Sequence, residues 1–565
     1  MPDGRGDSPP PVFMKGEISV RNYGKLLAGC LTVSGLCMAM AFSAFADETD
    51  KVQTGWVETD DGWMYYDEDG YEVTNEWKKS GDNWFYLGDD GYIVYEQLIE
   101  DDGYIYYANE DGAMVKNQWV QMANDENEEY GDENAAVDVW YYFQNNGRAY
   151  VAGDNRTSFK TINGQKYAFD EDGKMLWGWV NDNSELCNSG TEWHDAVYYC
   201  GAENDGARKS GWYLIDVEED REDLEKNKDD DTVMYYYFYF TENGKRVQNT
   251  TKTINGLKYS FDEYGAMDYE WTLATDSVAS LSTATASVYQ FFNYEDYGNR
   301  VSGWFYTVPG ENLHKKDHDD EIEHWYYANG SGELTFSQIK SINGKKYAFN
   351  EYGEMLYGLQ ALRLDPSDPT VIEANYLIDD EDEWNAFVDR KTDFSGDDGD
   401  FNFDGTFLYY FGEEEDGAMK LGKVKLEFTG DVYNYYFVKT GEYKGAGFGS
   451  WTGMDLNAES TYSVDDDGNR TFIDDGKYIY LGGRRMTADE DLKYEAYSAY
   501  GEEADSSDDV TDGSFYLINE AGSIQKKRHN LKDRDGNYYC TNDKGVITYY
   551  GSEKCENHDD NVKHN

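Results

Sequence analysis

Three segments near the start of the chain decide the fold: W-M-Y-Y-D-E-D-G (63–70), W-F-Y-L-G-D-D-G (84–91) and I-Y-Y-A-N-E-D-G (105–112). They superpose without gaps at a spacing of 21 residues (84 − 63 and 105 − 84). Alternating aromatic residues that end in Asp-Gly or Asn-Gly predict a β-strand followed by a turn. A first-strand residue recurs at the same spacing, at positions Trp56, Trp77, Leu98 and Trp119. Each unit is therefore predicted to be a β-hairpin.

A second kind of unit recurs in the middle of the chain. Its copies read T-I-N-G-Q-K-Y-A-F-D-E-D-G-K-M (161–175), T-I-N-G-L-K-Y-S-F-D-E-Y-G-A-M (253–267) and S-I-N-G-K-K-Y-A-F-N-E-Y-G-E-M (341–355). Ile-Asn-Gly-x-Lys-Tyr predicts a hairpin with a two-residue Asn-Gly turn. The copies start 92 and 88 residues apart (253 − 161 and 341 − 253), which indicates a super-repeat of roughly 90 residues.

The units differ in length at one point, the interval between the two strands of the hairpin. The interval between the two strands is seven residues in the first unit, from Trp56 to Trp63, but it lengthens from Trp119 to Trp140 and from Trp304 to Trp325. These insertions hold much of the acidic charge, and insertions in a repeat protein map to one face. We expect acidic loops that project from one side of an array.

Composition excludes several classes of protein. The 565 residues include 49 Lys and Arg against 113 Asp and Glu, a formal charge of −64. Nucleic-acid binding requires cationic neutralisation of phosphates and is excluded. The 52 Tyr, 26 Phe and 15 Trp are too many for a simply disordered chain. Because an isolated hairpin is marginal in water, hairpins must bury rings against their neighbours. The predicted fold is all-β, a solenoid of stacked β-hairpin repeats with acidic loop insertions.

The first 46 residues have the features of a signal peptide. Lys15, Arg21 and Lys25 precede an apolar run, and Ala44-Phe45-Ala46 is an A-x-A cleavage site. Met14 is the expected start, so the residues before it indicate an over-extended reading frame. The rival is an uncleaved anchor, since the 21 residues 26–46 are long enough to span a bilayer. Both predict a secreted or surface protein that meets a membrane only through this segment.

The remaining chain divides by the regularity of its units. We expect regular 21-residue hairpin repeats over 47–120 and hairpins in super-repeats with acidic inserts over 121–360. An irregular acidic insert is predicted over 361–405, degenerate hairpins over 406–550 and a disordered tail over 551–565.

Strand alternation separates the rings into two faces. Trp63 and Tyr65 lie on one face and Met64 and Tyr66 on the other, whereas in the Asn-Gly units only one face is aromatic. Units with Trp therefore carry more rings than stacking requires, unless the Trp pairs are simply core. Rings in grooves between hairpins suit a quaternary ammonium, through cation–π contacts, or a sugar ring. Each contact is weak, so affinity would come from many sites on one polymer.

These motifs resemble the cell-wall-binding, or choline-binding, repeat superfamily, which is similar to glucan-binding repeats and to the carbohydrate-binding repeats of clostridial toxins. The resemblance implies a β-solenoid with ligand between successive hairpins, caged by the first-strand Trp, the leading ring of the second strand and a ring of the next hairpin. The implied cages are Trp56, Trp63 and Tyr86, then Trp77, Trp84 and Tyr107. The candidate ligand-binding residues are Trp56, Trp63, Tyr65, Trp77, Trp84, Tyr86, Tyr107, Trp119, Trp140, Tyr142, Trp304, Trp325 and Tyr327. The third unit departs from this cage pattern, because Leu98 and Ile105 replace both of its Trp residues.

Other chemistry has weaker signals, and no cofactor or resident metal is predicted. Asp400, Asn402 and Asp404 match the first half of a calcium loop, but a turn in an acidic loop explains them as well. His314 and His318 are four residues apart without a third ligand in the sequence pattern. Cys187 with Cys200, and Cys540 with Cys555, are local pairs that form either disulfides or free thiols.

The predicted function is that of a non-catalytic bacterial surface protein. It would bind a cell-wall polymer, choline-bearing teichoic acid or a glycan, because no nucleophile elbow, phosphate loop or carboxylate dyad stands out. The alternative is a structural or adhesive rod whose acidic loops meet a host or neighbouring-cell partner. The pattern leaves the oligomeric state open.

Overall fold

The structure is a computed structural model, and it describes residues 52–124, 137–153, 156–218, 233–273, 285–396, 399–428, 430–441, 444–448, 462–464, 470–474, 477–498, 503–504 and 510–555. The expected signal peptide and most of the expected tail lie outside these residues. The described chain forms two units. The amino-terminal unit runs to Tyr269 and includes Tyr294–Asn299, and the carboxyl-terminal unit holds Glu270–Asn293 and the residues from Arg300 onward.

The amino-terminal unit consists of eight antiparallel hairpins, each a two-stranded sheet in the described residues. Their strands are β1 (Gly55–Thr59), β2 (Gly62–Tyr66), β3 (Glu76–Ser80), β4 (Asn83–Leu87), β5 (Gln97–Asp101), β6 (Tyr104–Ala108), β7 (Gln118–Ala123), β8 (Asp138–Phe143), β9 (Lys160–Ile162), β10 (Gln165–Tyr167), β11 (Trp179–Val180), β12 (Tyr198–Tyr199), β13 (Gly211–Glu218), β14 (Val233–Phe240), β15 (Thr250–Ile254) and β16 (Leu257–Phe261). A 3-10 helix spans Gly190–Asp195. The all-β prediction is confirmed, and the solenoid stays a prediction.

The turn after the second strand is fixed by the side chain at its first position in the first and third regular units, whereas Gly88 stands there in the second. The Asp67 Oδ1 atom accepts hydrogen bonds from the backbone N–H groups of Asp69 and Tyr71, at 3.0 and 2.8 Å. Gly70 has φ +81°, a conformation that disfavours other residues. The same acceptor role belongs to Asn109, Asp170, Asp262 and Asn350. The chain after this turn therefore leaves each hairpin in the same direction.

That outgoing segment joins each hairpin to the one before it. The N–H of Ile93 donates to the carbonyl oxygen of Trp63 at 3.0 Å, and the N–H of Met114 donates to that of Trp84 at 2.8 Å. In each case the donor lies two positions after the turn glycine. The acceptor belongs to the leading residue, the first aromatic residue in the second strand of the preceding hairpin. Successive hairpins are thus held in register by backbone as well as by rings.

The carboxyl-terminal unit begins with hairpins of the same kind and then builds larger sheets. Its strands are β17 (Glu270–Leu273), β18 (Tyr289–Phe292), β19 (Gly303–Thr307), β20 (His324–Ala328), β21 (Gln338–Ile342), β22 (Lys345–Phe349), β23 (Leu359–Asp365), β24 (Asp368–Leu377), β25 (Phe394–Gly396), β26 (Gly399–Phe401), β27 (Phe407–Tyr410), β28 (Gly422–Phe428), β29 (Asp431–Phe437), β30 (Tyr462–Val464), β31 (Arg470–Asp474), β32 (Tyr478–Leu481), β33 (Arg484–Arg485), β34 (Tyr494–Ser498), β35 (Phe515–Asn519), β36 (Leu531–Lys532), β37 (Tyr538–Thr541) and β38 (Ile547–Gly551). Its helices are α1 (Lys315–Asp319), α2 (Glu381–Val388) and a 3-10 turn at Ala286–Val288.

Regular structure fills most of the segment 361–405 that the sequence predicts to be irregular. Strands β23 and β24 pair over their length and join a five-stranded sheet in the order β22-β21-β24-β23-β27. Helix α2 starts at a capping box in which Asp380 and Glu383 satisfy each other's backbone N–H groups. It buries Trp384 and Phe387 in an apolar cluster. Among the described residues, no helix has the length and apolar character of a membrane span.

Candidate functional site: aromatic clusters between hairpins

Each hairpin presents one face of its second strand to the hairpin that follows. In the first hairpin Trp56, Trp63 and Tyr65 pack against Phe85 and Leu87, which are buried residues of the next. We call the Trp63 side the leading face and the Met64 side the trailing face. The faces predicted from strand alternation therefore have distinct roles in the regular hairpins, because the leading face of one meets the trailing face of the next.

The first predicted cage differs from the structure in its third ring. The Trp56 ring lies 5.2 Å from Tyr65 across its own hairpin and 5.6 Å from Phe85 of the next, both centroid to centroid. Tyr86 lies instead 5.1 Å from Trp77, its register partner across β3 and β4. The resemblance-based choice of Tyr86 is thus corrected to Phe85, because Tyr86 belongs to the leading face and points away from Trp56.

The second predicted cage has the same displacement. The third ring beside Trp77 is Tyr106, at 5.4 Å, and Tyr107 stacks on Phe143 at 6.0 Å. Strand alternation alone could have found both residues, since the ring that faces back to a hairpin must come from the trailing face of the next.

The four early Trp side chains are not sealed in the interior. Trp56, Trp63 and Trp77 are half-buried, and Trp84 is 37% exposed. Part of each ring is therefore accessible to a ligand.

A more complete arrangement recurs where an Asn-Gly hairpin follows a hairpin with a long insertion. In the first aromatic cluster Trp119 lies 6.5 Å from Trp140, 5.1 Å from Tyr142 and 4.9 Å from Tyr167. All four rings are half-buried. Three of these four rings, Trp119, Trp140 and Tyr142, were candidates from the sequence pattern and the resemblance, and Tyr167 of the Asn-Gly hairpin was not.

The third aromatic cluster repeats this geometry in the carboxyl-terminal unit. Trp304 lies 6.4 Å from Trp325, 5.2 Å from Tyr327 and 4.8 Å from Tyr347. The two Trp rings cross at 83° in both the first and the third cluster. The structure therefore brings together the candidates whose strands are separated by long insertions.

A second aromatic cluster lies between them in sequence and was absent from the predicted residues. Trp212 lies 5.2 Å from Tyr239 and 4.8 Å from Tyr259, while Tyr237 takes the place of the second Trp. The signal for it was the super-repeat itself, since Trp212 follows Trp119 by 93 residues and precedes Trp304 by 92.

A backbone hydrogen bond fixes the two hairpins at every cluster. The N–H groups of three methionines donate to the carbonyl oxygens of the leading residues on the preceding hairpins. The pairs are Met175 to Trp140 at 2.7 Å, Met267 to Tyr237 at 2.8 Å and Met355 to Trp325 at 2.8 Å. The rings of each cluster are thus held in place without a ligand.

Acidic turns border the clusters. Beside the first, the Asn204 side chain accepts from the Trp140 indole N–H at 3.0 Å, and Glu203 accepts from the backbone N–H of Val137 at 3.0 Å. Beside the third, Tyr306 lies 5.1 Å from Trp325, and its pKa is raised by burial and then by the charge of Glu414. Ring faces next to carboxylates provide an environment for a cation with apolar substituents.

The calcium candidate is a conventional turn with a guanidinium beside it. Asp400 lies on β26, and the Asn402 side chain accepts from the backbone N–H of Asp404 at 2.8 Å. The Arg363 guanidinium donates to the backbone carbonyls of Asn402 and Asp404. A second cation at this turn would meet the positive charge of Arg363.

The two cysteine pairs differ. Cys540 and Cys555 form a disulfide, so Cys555 anchors the start of the segment predicted to be a tail. Cys187 and Cys200 are buried free thiols, which corrects the disulfide candidate there and agrees with the free-thiol alternative. They lie in separate apolar clusters.

No family model and no curated protein sequence matches the chain. Among solved structures, the modular autolysin LytC from Streptococcus pneumoniae with a synthetic peptidoglycan ligand matches at 15% identity and a TM-score of 0.29, over 60% of this chain and 59% of that chain. Choline binding protein F from the same species matches at 16% identity and a TM-score of 0.30, over 70% and 99%. The chain is similar to choline-binding proteins. The choline-binding domain of CbpL from this species matches at 22% identity and a TM-score of 0.24, over 39% and 90%.

Proposed function

We propose that this chain is a non-catalytic surface protein that binds a cell-wall polymer through the aromatic clusters between its hairpins. The favoured ligand group is the quaternary ammonium of choline on teichoic acid, and a glycan is the second choice. The observation that carries the proposal is the repetition of one ring geometry at Trp119, Trp212 and Trp304.

The rings exceed what stacking of hairpins uses. An Asn-Gly hairpin such as that of β21 and β22 has Lys346 and Ala348 on its leading face, whereas the preceding hairpin has Trp325 and Tyr327 there. Both kinds of hairpin link to their neighbours by the same backbone bond, since Met419 donates to Lys346 as Met355 donates to Trp325. Stacking therefore proceeds without these rings, and a ligand role accounts for their presence.

Charge favours an ammonium over a neutral sugar. Carboxylates of Glu414 and Glu415 raise the pKa of Tyr306 at the third cluster, after burial, so negative charge borders its rings. Cation–π contact is worth about 0.5–2 kcal/mol per ring. Such sites are individually weak, and three or more of them on one repetitive polymer would give useful retention.

Retention on immobilised choline tests the proposal. We expect the chain to bind and to elute with millimolar free choline, with a change in Trp fluorescence, but to remain bound in sodium chloride of equal ionic strength. The salt arm matters because a chain with a charge of −64 adsorbs to any cationic resin. If choline neither elutes the chain nor alters its fluorescence, the ammonium site is wrong, and binding to a glycan array then decides for the second ligand.

The alternative function is an adhesive or structural rod. It is favoured by the place of the acidic insertions in the sequence, at the tips that join the two strands of one hairpin, as between β7 and β8 and between β13 and β14. A chain that binds neither choline nor any glycan but adheres to cells through these tips would establish it.

A further inference from the structure

Four potential metal ligands from three parts of the sequence meet in the carboxyl-terminal unit. His314 and Asp317 belong to the insertion between β19 and β20, His324 is the first residue of β20, and Glu354 follows the turn after β22. One ligand atom from each lies within 4.8 Å of all the others. Sequence spacing paired His314 with His318, but His318 bonds to the backbone carbonyl of Pro309 instead.

The separations suit a tetrahedral centre. The Nδ1 atom of His314 lies 2.7 Å from Glu354 Oε1 and 3.3 Å from Asp317 Oδ2. The Nε2 atom of His324 lies 2.7 Å from Asp317 Oδ2 and 3.8 Å from Glu354 Oε1. Atoms bound at about 2.0–2.1 Å to tetrahedral zinc lie about 3.3 Å apart, which is the middle of this range. Small rotations of the side chains would therefore accommodate an ion.

The ligands are oriented by further contacts. Glu354 directs its other oxygen, Oε2, to the amide of Asn350 at 2.6 Å, and the buried Tyr326 hydroxyl donates to Oε1 at 3.4 Å. The His314 ring stacks on Tyr352 at 4.0 Å. Such supporting hydrogen bonds are characteristic of metal-bound carboxylates and imidazoles.

The charges also call for a divalent cation. The Asp317 and Glu354 side chains are 13% and 6% exposed, and two carboxylates so close together in a buried place are unfavourable without compensation. Two carboxylates, two neutral imidazoles and one divalent ion sum to zero. Imidazole with carboxylate suits zinc and its first-row neighbours better than calcium or magnesium, which prefer oxygen alone.

We propose that His314, Asp317, His324 and Glu354 bind a divalent first-row transition metal ion, with Zn²⁺ as the preferred ion. Four protein ligands make this a structural site, which holds the insertion between β19 and β20 against the following Asn-Gly hairpin. The first two super-repeats lack the equivalent of Glu354, since Lys174 and Ala266 stand at that position. The inference does not depend on the proposed polymer binding.

Equilibrium dialysis of the full chain tests the site. The chain is stripped with EDTA and dialysed against Zn²⁺ in non-reducing buffer with millimolar Ca²⁺ and Mg²⁺, which fill oxygen-only sites on so acidic a surface. We expect one tightly bound Zn²⁺ per chain and at least 10-fold weaker binding in Glu354→Gln and in His324→Asn. His318→Ala changes a histidine in the same helix as Asp317, and it should bind Zn²⁺ as tightly as the wild type does. The same is expected of His529→Ala.

Two further measurements distinguish loss of the metal site from misfolding of a variant. Far-UV circular dichroism shows whether Glu354→Gln and His324→Asn keep the wild-type fold. Co²⁺ in place of Zn²⁺ should give the visible absorption of a tetrahedral site in the wild type and in His318→Ala. Absence of a tight Zn²⁺ in the wild type, or its retention by folded Glu354→Gln and His324→Asn, would overturn the proposal.

Discussion

The ring of Tyr347 lies 4.8 Å from that of Trp304, edge to face at 67°, although the two residues are 43 positions apart (347 − 304). The corresponding pair, Trp119 and Tyr167, is 48 positions apart and has a distance of 4.9 Å and an angle of 69°. The difference lies in the connection between the two hairpins, which spans 27 positions from Trp140 to Tyr167 and 22 from Trp325 to Tyr347. The two clusters have the same ring geometry because the contact depends on hairpin-to-hairpin packing and not on the length of that connection.

Removing one ring of the third cluster should weaken choline retention. Trp325→Leu deletes a half-buried ring on the leading face and should cost that site about 0.5–2 kcal/mol, which is up to roughly 30-fold in affinity. Elution from immobilised choline at graded choline concentrations measures the effect. Tyr235→Leu removes an exposed ring from outside the three clusters and should elute like the wild type. Equal elution of the two variants would argue against a site at Trp325.

The backbone bond between regular hairpins should be worth measurable stability. Met114→Pro removes the N–H that donates to the Trp84 carbonyl and leaves that acceptor unpaired, at a cost of about 1–3 kcal/mol. Met114→Leu keeps the bond and nearly the same volume, so its cost should be under about 1.5 kcal/mol. Urea midpoints followed by Trp fluorescence compare the two. Similar midpoints would show that this bond does not tie the hairpins together.

The side chain of Asp170 should make the stability of the folded state depend on pH. Burial raises the pKa of Asp170 to about 6, from 3.8, so the folded state holds a proton there that the unfolded state has released. Its contribution to stability is therefore present below about pH 4 and is lost as the pH rises through 6. Asp170→Asn keeps the acceptor for the Lys174 N–H, as Asn350 does for the Glu354 N–H, without this loss.

We expect Asp170→Asn to be more stable than the wild type at pH 7, by up to about 1–3 kcal/mol, and equal to it near pH 4. Urea midpoints at both pH values measure the difference. A variant that is less stable at pH 7 would show that the charge itself is needed in this turn.

The two free thiols should react only after unfolding. The pKa of the Cys187 thiol is raised to about 11 and that of Cys200 to about 12, and burial is the largest cause of both shifts. At pH 8 the thiolate of Cys187 is then roughly 100-fold scarcer than at an exposed cysteine. Mass spectrometry after brief alkylation should find both cysteines unmodified in the native chain and fully modified in denaturant. Rapid native modification of Cys200 would mean that this region opens readily.

Hairpins, their register and the super-repeat could be predicted from the sequence, because ring alternation and Asp-Gly or Asn-Gly turns are local signals. The choice of Tyr86 as the third ring came from the resemblance, and the structure places Phe85 beside Trp56 instead. The alternation of Trp84 and Phe85 between faces would have given this neighbour.

Long-range placement was beyond the sequence pattern. His324 and Glu354 reach His314 only because an insertion folds back over the next hairpin, and no spacing rule expresses that contact. The segment 361–405 has an acidic composition that resembles the other insertions. Its long hairpin and helix α2 depend on an apolar cluster to which residues of β27 and β29 contribute from far along the chain.

The linking bonds use the leading residue of the second strand and the segment after the turn glycine, and the same bond forms whether the tip between the two strands is short, as between β1 and β2, or long, as between β7 and β8. Selection could lengthen or replace these tips without any compensating change in the neighbouring hairpins. An engineer could use the same freedom: a foreign epitope or an enzyme-cleavable peptide grafted at such a tip would be displayed while the adjoining rings retained their arrangement.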